Sequence, residues 1–245
     1  MNMMKQILDR VTITGADDSI RPEDLIGISE AYPFVEWGIL LSKNNMGCAR
    51  FPSLDWMKRL AQFKTEHPNT LHLSGHLCGA WVRNLCKGGD SSFTEELEGT
   101  AQMYERIQLN FHAQRHKTDA ESFINALFTL GIKQYIVQWD NVNTGFLDLI
   151  RYHQLKAAPL FDLSGGNGVL PKEWPRADGY CGYAGGLSPE NVQGQLELIC
   201  EKVGKPPVWI DTETRVRSED DQQFDLGKVR TFLEQSKPYV MGRES

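Results

Sequence analysis

Several features that mark particular protein classes are missing from this 245-residue sequence. The five cysteines are odd in number and widely spaced, and no CxxC pair occurs, so neither a disulfide framework nor a zinc knuckle is indicated. No apolar run approaches the length needed to cross a bilayer. The segment from Met1 to Leu8 is too short and too polar for a signal peptide. We therefore expect a cytoplasmic protein that has no membrane partner.

Positive charge is also scarce. Lysine and arginine number 26 against 32 acidic residues, which gives a formal net charge of −6, and the densest basic run is only Arg115-His116-Lys117. This balance does not favour nucleic acid as a partner. Tight metal signatures such as HxH or HExxH are absent, and we expect no cofactor. The contents of 40% hydrophobic and 24% charged residues are typical of a globular protein.

What the sequence does contain is a regular alternation of strand and helix patterns. Eight predicted strands, each followed by a predicted helix, cover residues 10–16, 34–41, 70–75, 106–111, 134–139, 158–162, 179–183 and 207–211. Strict alternation predicts a parallel sheet, and eight units in about 250 residues predict a closed TIM (β/α)8 barrel. Composition shows no break, so we expect one domain over residues 1–245, with a small helical insertion around residues 91–104.

The most informative stretch lies between residues 160 and 192. A predicted strand ends at Asp162 and is followed by a glycine-rich loop that contains Gly165 and Gly166; a second strand leads to Gly185 and Gly186. A helix is then predicted to begin at Ser188, with Ser188 as its cap, Pro189 in the first turn and Glu190 at the positive end of the dipole. Glycines in front of a helix allow an anion to approach bare N–H groups, so this stretch indicates a phosphate or carboxylate site.

Active sites of such barrels lie at the C-terminal ends of the strands. The polar residues predicted there are Thr14, Lys43, Arg50, His76, Asn110, His112, Gln138, Asp140, Asp162, Tyr183, Asp211 and Glu213. Alternation along strands three and four turns His72, Ser74 and His76, and Arg106, Gln108, Asn110 and His112, towards the barrel interior. For deep residues such as His72 we expect a buried structural network, with Glu36 pairing to Arg106. For the polar residues at the rim of the barrel we expect a role in binding or catalysis.

Two motifs carry a resemblance to a known family. Asp162 precedes Gly165-Gly166-Asn167-Gly168, and residues 184–192 read AGGLSPENV; weaker echoes are Ile13-Thr14-Gly15, Gln108-Leu109 and Ile210-Asp211. In these the sequence resembles the phosphoribosylanthranilate isomerase family of tryptophan biosynthesis. The resemblance implies a (β/α)8 barrel and an Amadori rearrangement. It also implies a cysteine base after strand one, an aspartate acid after strand six, and phosphate loops after strands seven and eight.

The family pattern is matched only in part. Asp162 corresponds to the acid, and Gly185 and Gly186 correspond to the first phosphate loop. Thr14 stands where the cysteine base is expected, and its hydroxyl has no pKa suited to accepting a proton near neutrality. Glu213 in the second loop would repel a phosphate unless Arg215 or Arg217 compensates, and Asn110 replaces the usual histidine. We therefore do not expect the ordinary family activity.

Three hypotheses follow. The leading one is a diverged isomerase- or lyase-type enzyme acting on a small anionic metabolite derived from a sugar phosphate. In its catalytic site Asp162 would be the acid and His76 or His112 the base, with Asn110 and Thr14 beside them. Lys43 and Arg50 would bind a carboxylate of the ligand, and the glycine loops with Ser188 would bind its phosphate. Other groups of the ligand would be bound by Gln108, Gln138, Asp211 and Glu213. The second is a metal site formed by His76, His112, Asp140 and Asp162. The third is a non-enzymatic barrel that binds a metabolite or a partner protein. In each case we expect a monomer or a homodimer.

Overall fold

The computed structural model describes residues 5–87, 92–111, 119–139, 143–162 and 168–242. Eight parallel strands follow one another around a closed barrel in sequence order, which confirms the predicted TIM barrel. The strands are β1 (Leu8–Thr14), β2 (Val35–Leu41), β3 (Leu73–Leu77), β4 (Arg106–Leu109), β5 (Gln134–Gln138), β6 (Ala157–Phe161), β7 (Gly182–Ala184) and β8 (Val208–Thr212).

Helices cover the outside of the barrel. They are α1 (Glu23–Ala31), α2 (Leu54–Glu66), α3 (Gly79–Cys86), α4 (Ser92–Glu96), α5 (Ala120–Leu130), α6 (Thr144–Tyr152), α7 (Val192–Lys202) and α8 (Leu226–Ser236). Side-chain caps fix several starts: the Ser53 hydroxyl accepts from the Trp56 N–H at 3.2 Å, and Asp119 and Asp225 cap α5 and α8. Together with a 3-10 turn at Thr100–Met103, α4 occupies the predicted insertion. Within the described ranges, no helix is both long and apolar enough to cross a membrane.

One strand is displaced from its predicted position in a way that matters for the site. Thr70 and Leu71 turn back onto the carbonyl of His67, so β3 begins only at Leu73 and runs on to Leu77. His76 therefore lies within the strand rather than in the loop after it, and its side chain is buried. The prediction that His72 lies deep in the barrel is wrong. Because it precedes the strand, its ring is partly exposed and faces Glu105 at 3.6 Å.

The barrel interior is polar on one side and apolar on the other. Glu36 on β2 is fully buried and is bound by Arg106 from β4 at 2.5 and 2.9 Å and by Arg10 from β1 at 2.9 Å. Burial opposes ionisation, but the two guanidinium groups outweigh it and hold the pKa of Glu36 at about 2. The predicted pair of Glu36 with Arg106 is therefore present. This ionic network closes the lower part of the barrel beneath the C-terminal mouth.

The apolar half of the interior is contributed by β5 to β8 and consists of Ile136, Ala158, Leu160, Ala184 and Trp209. The Trp209 ring lies directly against the backbone of Gly182, where a Cβ atom would come within 2.3 Å of the ring. The Arg106 guanidinium stacks over the same indole, 4.5 Å from its centre. Trp209 thus joins the apolar half to the ionic network and supports the floor of the mouth.

Candidate functional site

A cavity of about 60 Å³ lies at the C-terminal ends of the strands. Its polar walls are formed by His76, Gln108, Asp162, Asp211, Glu213 and Arg215, and the β7 loop with Gly185 and Gly186 closes one side. This is the end of the barrel at which the sequence predicted a site. These six residues come from four strands or the loops that follow them, and the β7 loop adds a fifth side to the same space.

Two buried side chains in the wall of this cavity carry atoms without a hydrogen-bond partner. His76 is 1% exposed, and its Nε2 has no hydrogen-bond partner within the described part of the chain. The Gln108 amide donates to Asn110 Oδ1 at 2.6 Å, but its own Oε1 is likewise unpartnered there. Asn110 in turn donates to Cys78 Sγ at 3.1 Å, and the Cys78 thiol lies 3.4 Å from the His76 carbonyl oxygen, to which it donates.

Burial governs the chemistry of His76. Desolvation lowers the pKa of the imidazole from 6.5 to about 4; Glu36 opposes this effect and Arg106 adds to it. The ring is therefore neutral at physiological pH. The sequence suggested His76 as a base because an ordinary imidazole titrates near neutrality, and that reason does not hold at this depth. A neutral imidazole is suited to hydrogen bonding with an uncharged oxygen.

Asp211 and Thr14 form a second unit across the seam between β8 and β1. The Thr14 hydroxyl donates to Asp211 Oδ1 at 2.8 Å. Burial raises the pKa of Asp211 well above its usual range, Glu213 and Glu36 raise it further, and the hydroxyl of Thr14 and the charge of Arg106 oppose the rise. Gly38 makes the close approach possible, because a Cβ atom there would lie 2.1 Å from Thr14 Oγ1 and 3.0 Å from His76 Nε2.

Gly38 and Cys78 did not stand out in the sequence. For Gly38 a signal existed, since an isolated glycine inside an apolar strand often marks the close approach of another group. No comparable pattern identified Cys78, because its contact with Asn110 depends on how β3 and β4 pair.

The charge of Glu213 is balanced by Arg50. Arg50 Nη1 lies 2.5 Å from Glu213 Oε1, and the same guanidinium binds Asp221. Burial raises the pKa of Glu213, and Arg50 limits the rise. The sequence expected Arg50 and Lys43 to hold a ligand carboxylate. Both are instead paired with carboxylates of the chain, Lys43 with Glu96 at 2.8 Å, and neither forms part of the cavity wall.

The sequence suggested that Arg215 or Arg217 could offset the repulsion between Glu213 and a phosphate, and only Arg215 lies at the cavity. Arg217 is fully buried and binds the Gly15 carbonyl, Asp17 at 2.7 Å and Asp221 at 2.6 Å. Arg215 is exposed and lies in the wall of the cavity and of a neighbouring surface groove that contains Ser188. Arg215 is therefore the cation available to an anion at this position.

The β7 loop differs from its predicted form. Helix α7 begins at Val192 rather than at Ser188, because the Ser188 N–H donates to Asn191 Oδ1 and the Asn191 amide donates to the Gly186 carbonyl, both at 2.9 Å. The predicted cap at Ser188 is thus wrong. Gly186 has a φ of +68°, and a Cβ atom there would lie 2.5 Å from the Leu170 amide nitrogen. The positive φ and the close contact with Leu170 therefore explain why residue 186 is a glycine, and no bound ligand is needed to explain it.

The remaining predicted residues are placed as follows. Gln138 donates to the carbonyl of Asp162 at 3.1 Å and so fixes the position of that residue at the end of β6. His112, Asp140, Gly165 and Gly166 lie outside the described residues. Among the residues that the structure does describe, no group of three or more histidine, cysteine, aspartate or glutamate side chains is arranged to hold a metal ion.

Together, the closed parallel sheet and the polar cavity at its C-terminal mouth define a (β/α)8 barrel with a candidate site in the position usual for that class. Among solved structures, the chain is similar to the phosphoribosylanthranilate isomerase from Thermotoga maritima, at 16% identity and a TM-score of 0.54, covering 94% of this chain and 99% of that one. It is also similar to the phosphoribosylanthranilate isomerase from Thermococcus kodakaraensis, at 15% identity and a TM-score of 0.53, covering 94% and 99%. A third is N-(5'-phosphoribosyl)anthranilate isomerase from Pyrococcus furiosus, at 14% identity and a TM-score of 0.51, covering 93% and 98%.

These similarities confirm the resemblance noted in the sequence at the level of the fold. No protein-family model and no curated protein sequence matches the chain.

Proposed function

We propose that the chain is an enzyme that performs acid–base chemistry of the isomerase or lyase type on a small metabolite. The metabolite carries an anionic group and derives from a sugar phosphate. Asp162 acts as the general acid, and the anionic group lies beside Arg215 at the rim of the cavity.

The observation that carries this proposal is the pair of unpartnered buried atoms, His76 Nε2 and Gln108 Oε1, at one cavity. Buried polar atoms are nearly always hydrogen-bonded, and leaving one unpaired costs roughly 1–3 kcal/mol. A barrel that served only as a scaffold would gain stability from an apolar pair at these positions. A ligand hydroxyl can donate to Gln108 Oε1, and a ligand hydroxyl or carbonyl oxygen can pair with His76 Nε2, which supports a polyhydroxylated substrate.

The charges at the rim support the anionic part of the proposal. Arg50 balances Glu213, so the carboxylate expected to repel a phosphate carries a nearby counter-charge. Arg215 is exposed beside the same wall, in reach of a ligand in the cavity. A substrate would then place its phosphate at Arg215 and its reacting carbons between Asp162 and the strand ends.

A thermal-shift measurement tests this proposal. Ribose 5-phosphate should raise the melting temperature of the native protein, because a ligand at 100 times its dissociation constant stabilises by about 2.7 kcal/mol. Arg215→Met should abolish the shift. Arg176→Met is the matched control, since Arg176 is an exposed arginine paired with Asp178 away from the cavity, and it should leave the shift unchanged.

Two results would contradict the proposal. A shift produced by a divalent metal ion and reversed by a chelator, without one from ribose 5-phosphate, would favour a metal-dependent barrel. If sugar phosphates, anthranilate and metal ions all leave the melting temperature unchanged, a non-enzymatic barrel is the better description.

A further inference from the structure

Asp211 combines access to the cavity with an environment unusual for a carboxylate. It sits at the end of β8, is 7% exposed, and shares the cavity wall with Asp162 from the end of β6. The Thr14 hydroxyl donates a hydrogen bond to its Oδ1. Among the described residues, no lysine or arginine forms an ion pair with it. Asp211 is thus a carboxylate held in place by a neutral group and open to a ligand.

The other described groups near the mouth that could accept a proton are less suited to do so. Glu213 is engaged by Arg50 at 2.5 Å. The His76 imidazole has its pKa lowered to about 4 by burial, which makes it a weak base. The Cys78 thiol is partly buried, desolvation raises its pKa to about 12, and its sulfur is in contact with Asn110. Asp211 is therefore the group best placed to accept a proton from a bound molecule.

We propose that Asp211 is the general base of the site and that Thr14 is the residue that positions it. This inference rests on the proposed function and assigns the proton acceptor that complements Asp162. The substrate class is an α-hydroxy aldehyde, or its amine adduct, that carries a phosphate. The Asp211 carboxylate removes the proton from the α-carbon, and the C–H electron pair forms the carbon–carbon double bond of an enediol or enaminol. At the same time Asp162 gives its proton to the carbonyl oxygen or imine nitrogen.

The second half of the reaction returns both protons. Asp211 delivers its proton to the neighbouring carbon, Asp162 recovers one from the hydroxyl, and no oxidant or reductant is consumed. The charges around Asp211 suit this exchange. The protonated form of Asp211 is favoured by Glu213, which follows the same strand, and by Glu36 on β2. The carboxylate form is favoured by Arg106 on β4 and by the Thr14 hydroxyl on β1. His76 on β3 is neutral and adds no charge. On balance the pKa of Asp211 is raised well above that of an ordinary aspartate, which makes its carboxylate a stronger base.

Labelling with glycidol phosphate, a three-carbon epoxide that carries a phosphate, tests this assignment without knowledge of the natural substrate. A carboxylate oxygen attacks an epoxide carbon, an ester C–O bond forms, the epoxide C–O bond breaks, and the resulting alkoxide takes a proton from Asp162. Mass spectrometry of a digest should place the ester on Asp211. Asp211→Asn should remove this label, whereas Asp178→Asn, which changes an exposed carboxylate elsewhere, should not.

The uncharged epoxide glycidol separates this inference from the proposed function. If both proposals hold, glycidol phosphate labels Asp211 about tenfold or more faster than glycidol does, and inorganic phosphate slows the labelling. Labelling of Asp211 at equal rates by the two epoxides would leave the base in place and refute the anion site. An ester on Asp162 or Glu213, or no ester although glycidol phosphate raises the melting temperature, would refute the assignment of Asp211.

The role of Thr14 is tested through the pH dependence of the same reaction. Only the carboxylate attacks the epoxide, so the labelling rate should rise with pH through the titration of Asp211, in a range where an ordinary aspartate is already ionised. Thr14→Val removes the hydrogen bond that favours the carboxylate and should shift this rise to higher pH. Thr14→Ser should restore the original profile. A profile that is the same in all three proteins would show that Thr14 does not position the base.

Discussion

The burial of His76 predicts a specific dependence of stability on pH. In the unfolded chain the imidazole takes up a proton near pH 6.5, but in the native protein its pKa is about 4. Between these values the unfolded state binds more protons than the native state, so the free energy of unfolding falls as the pH is lowered. The group contributes its full stabilisation above pH 6.5, and this contribution is lost progressively as the pH falls towards 4.

The size of the effect follows from the pKa difference. One pKa unit corresponds to about 1.4 kcal/mol, so a fall from 6.5 to about 4 corresponds to roughly 3 kcal/mol in all. Most of this, about 2 kcal/mol, is lost by pH 5. His76→Gln removes the titrating ring and should abolish this part of the pH dependence. Asp211 and Glu213 titrate in both proteins, so the difference between the two proteins isolates the histidine.

Urea unfolding followed by tryptophan fluorescence at pH 7.5 and pH 5 provides the assay. The wild-type protein should lose about 2 kcal/mol more than His76→Gln over this interval. His153, whose ring is exposed at the end of α6, supplies the matched control, and His153→Gln should behave as the wild type. If wild type and His76→Gln lose stability in parallel, the ring is not buried in its neutral form and the reasoning about the cavity is wrong.

Two further predictions concern the barrel interior and are checked by the same urea titrations. Glu36→Gln should lower the free energy of unfolding by about 3–5 kcal/mol, because it leaves the buried guanidinium of Arg106 without its counter-charge; a change below 1 kcal/mol would contradict the ionic network. Gly182→Ala should cost about 1–3 kcal/mol, because its Cβ atom would overlap the Trp209 ring. Gly194→Ala, inside α7 with nothing within 4 Å, should instead stabilise by about 0.5–1 kcal/mol, and the same sign for both glycines would refute the packing argument.

The sequence predicts the barrel well because the alternation of elements and their number are properties of the whole chain. The pair of Glu36 with Arg106 is also predictable, since two inward-facing opposite charges in a closed interior have to meet. The start of α7 is not, because it depends on the side chain of Asn191, which takes the N–H of Ser188. A local capping pattern does not show this competition.

The site residues divide in the same way. Asp162 and His76 both line the cavity, although His76 lies within β3 rather than in the loop after it. Whether Arg50, Arg215 or Arg217 faces a ligand depends on which carboxylates the fold brings to each, and that is settled only by tertiary contacts. The pKa of His76 likewise follows from its depth in the barrel, which depends on a two-residue difference in where β3 ends, at Leu77 rather than at Gly75.

The most direct test of the central claim, that the mouth performs acid–base chemistry, is the exchange of carbon-bound hydrogen with solvent. Ribose 5-phosphate is incubated with the protein in D₂O, and deuterium at C2 is followed by NMR spectroscopy. We predict exchange that Asp162→Asn slows by about 10²–10⁴-fold without loss of folding, and that Asp178→Asn leaves unchanged. If ribose 5-phosphate binds but its C2 hydrogen does not exchange, or if Asp162→Asn exchanges it as fast as the wild type, the proposed chemistry is wrong.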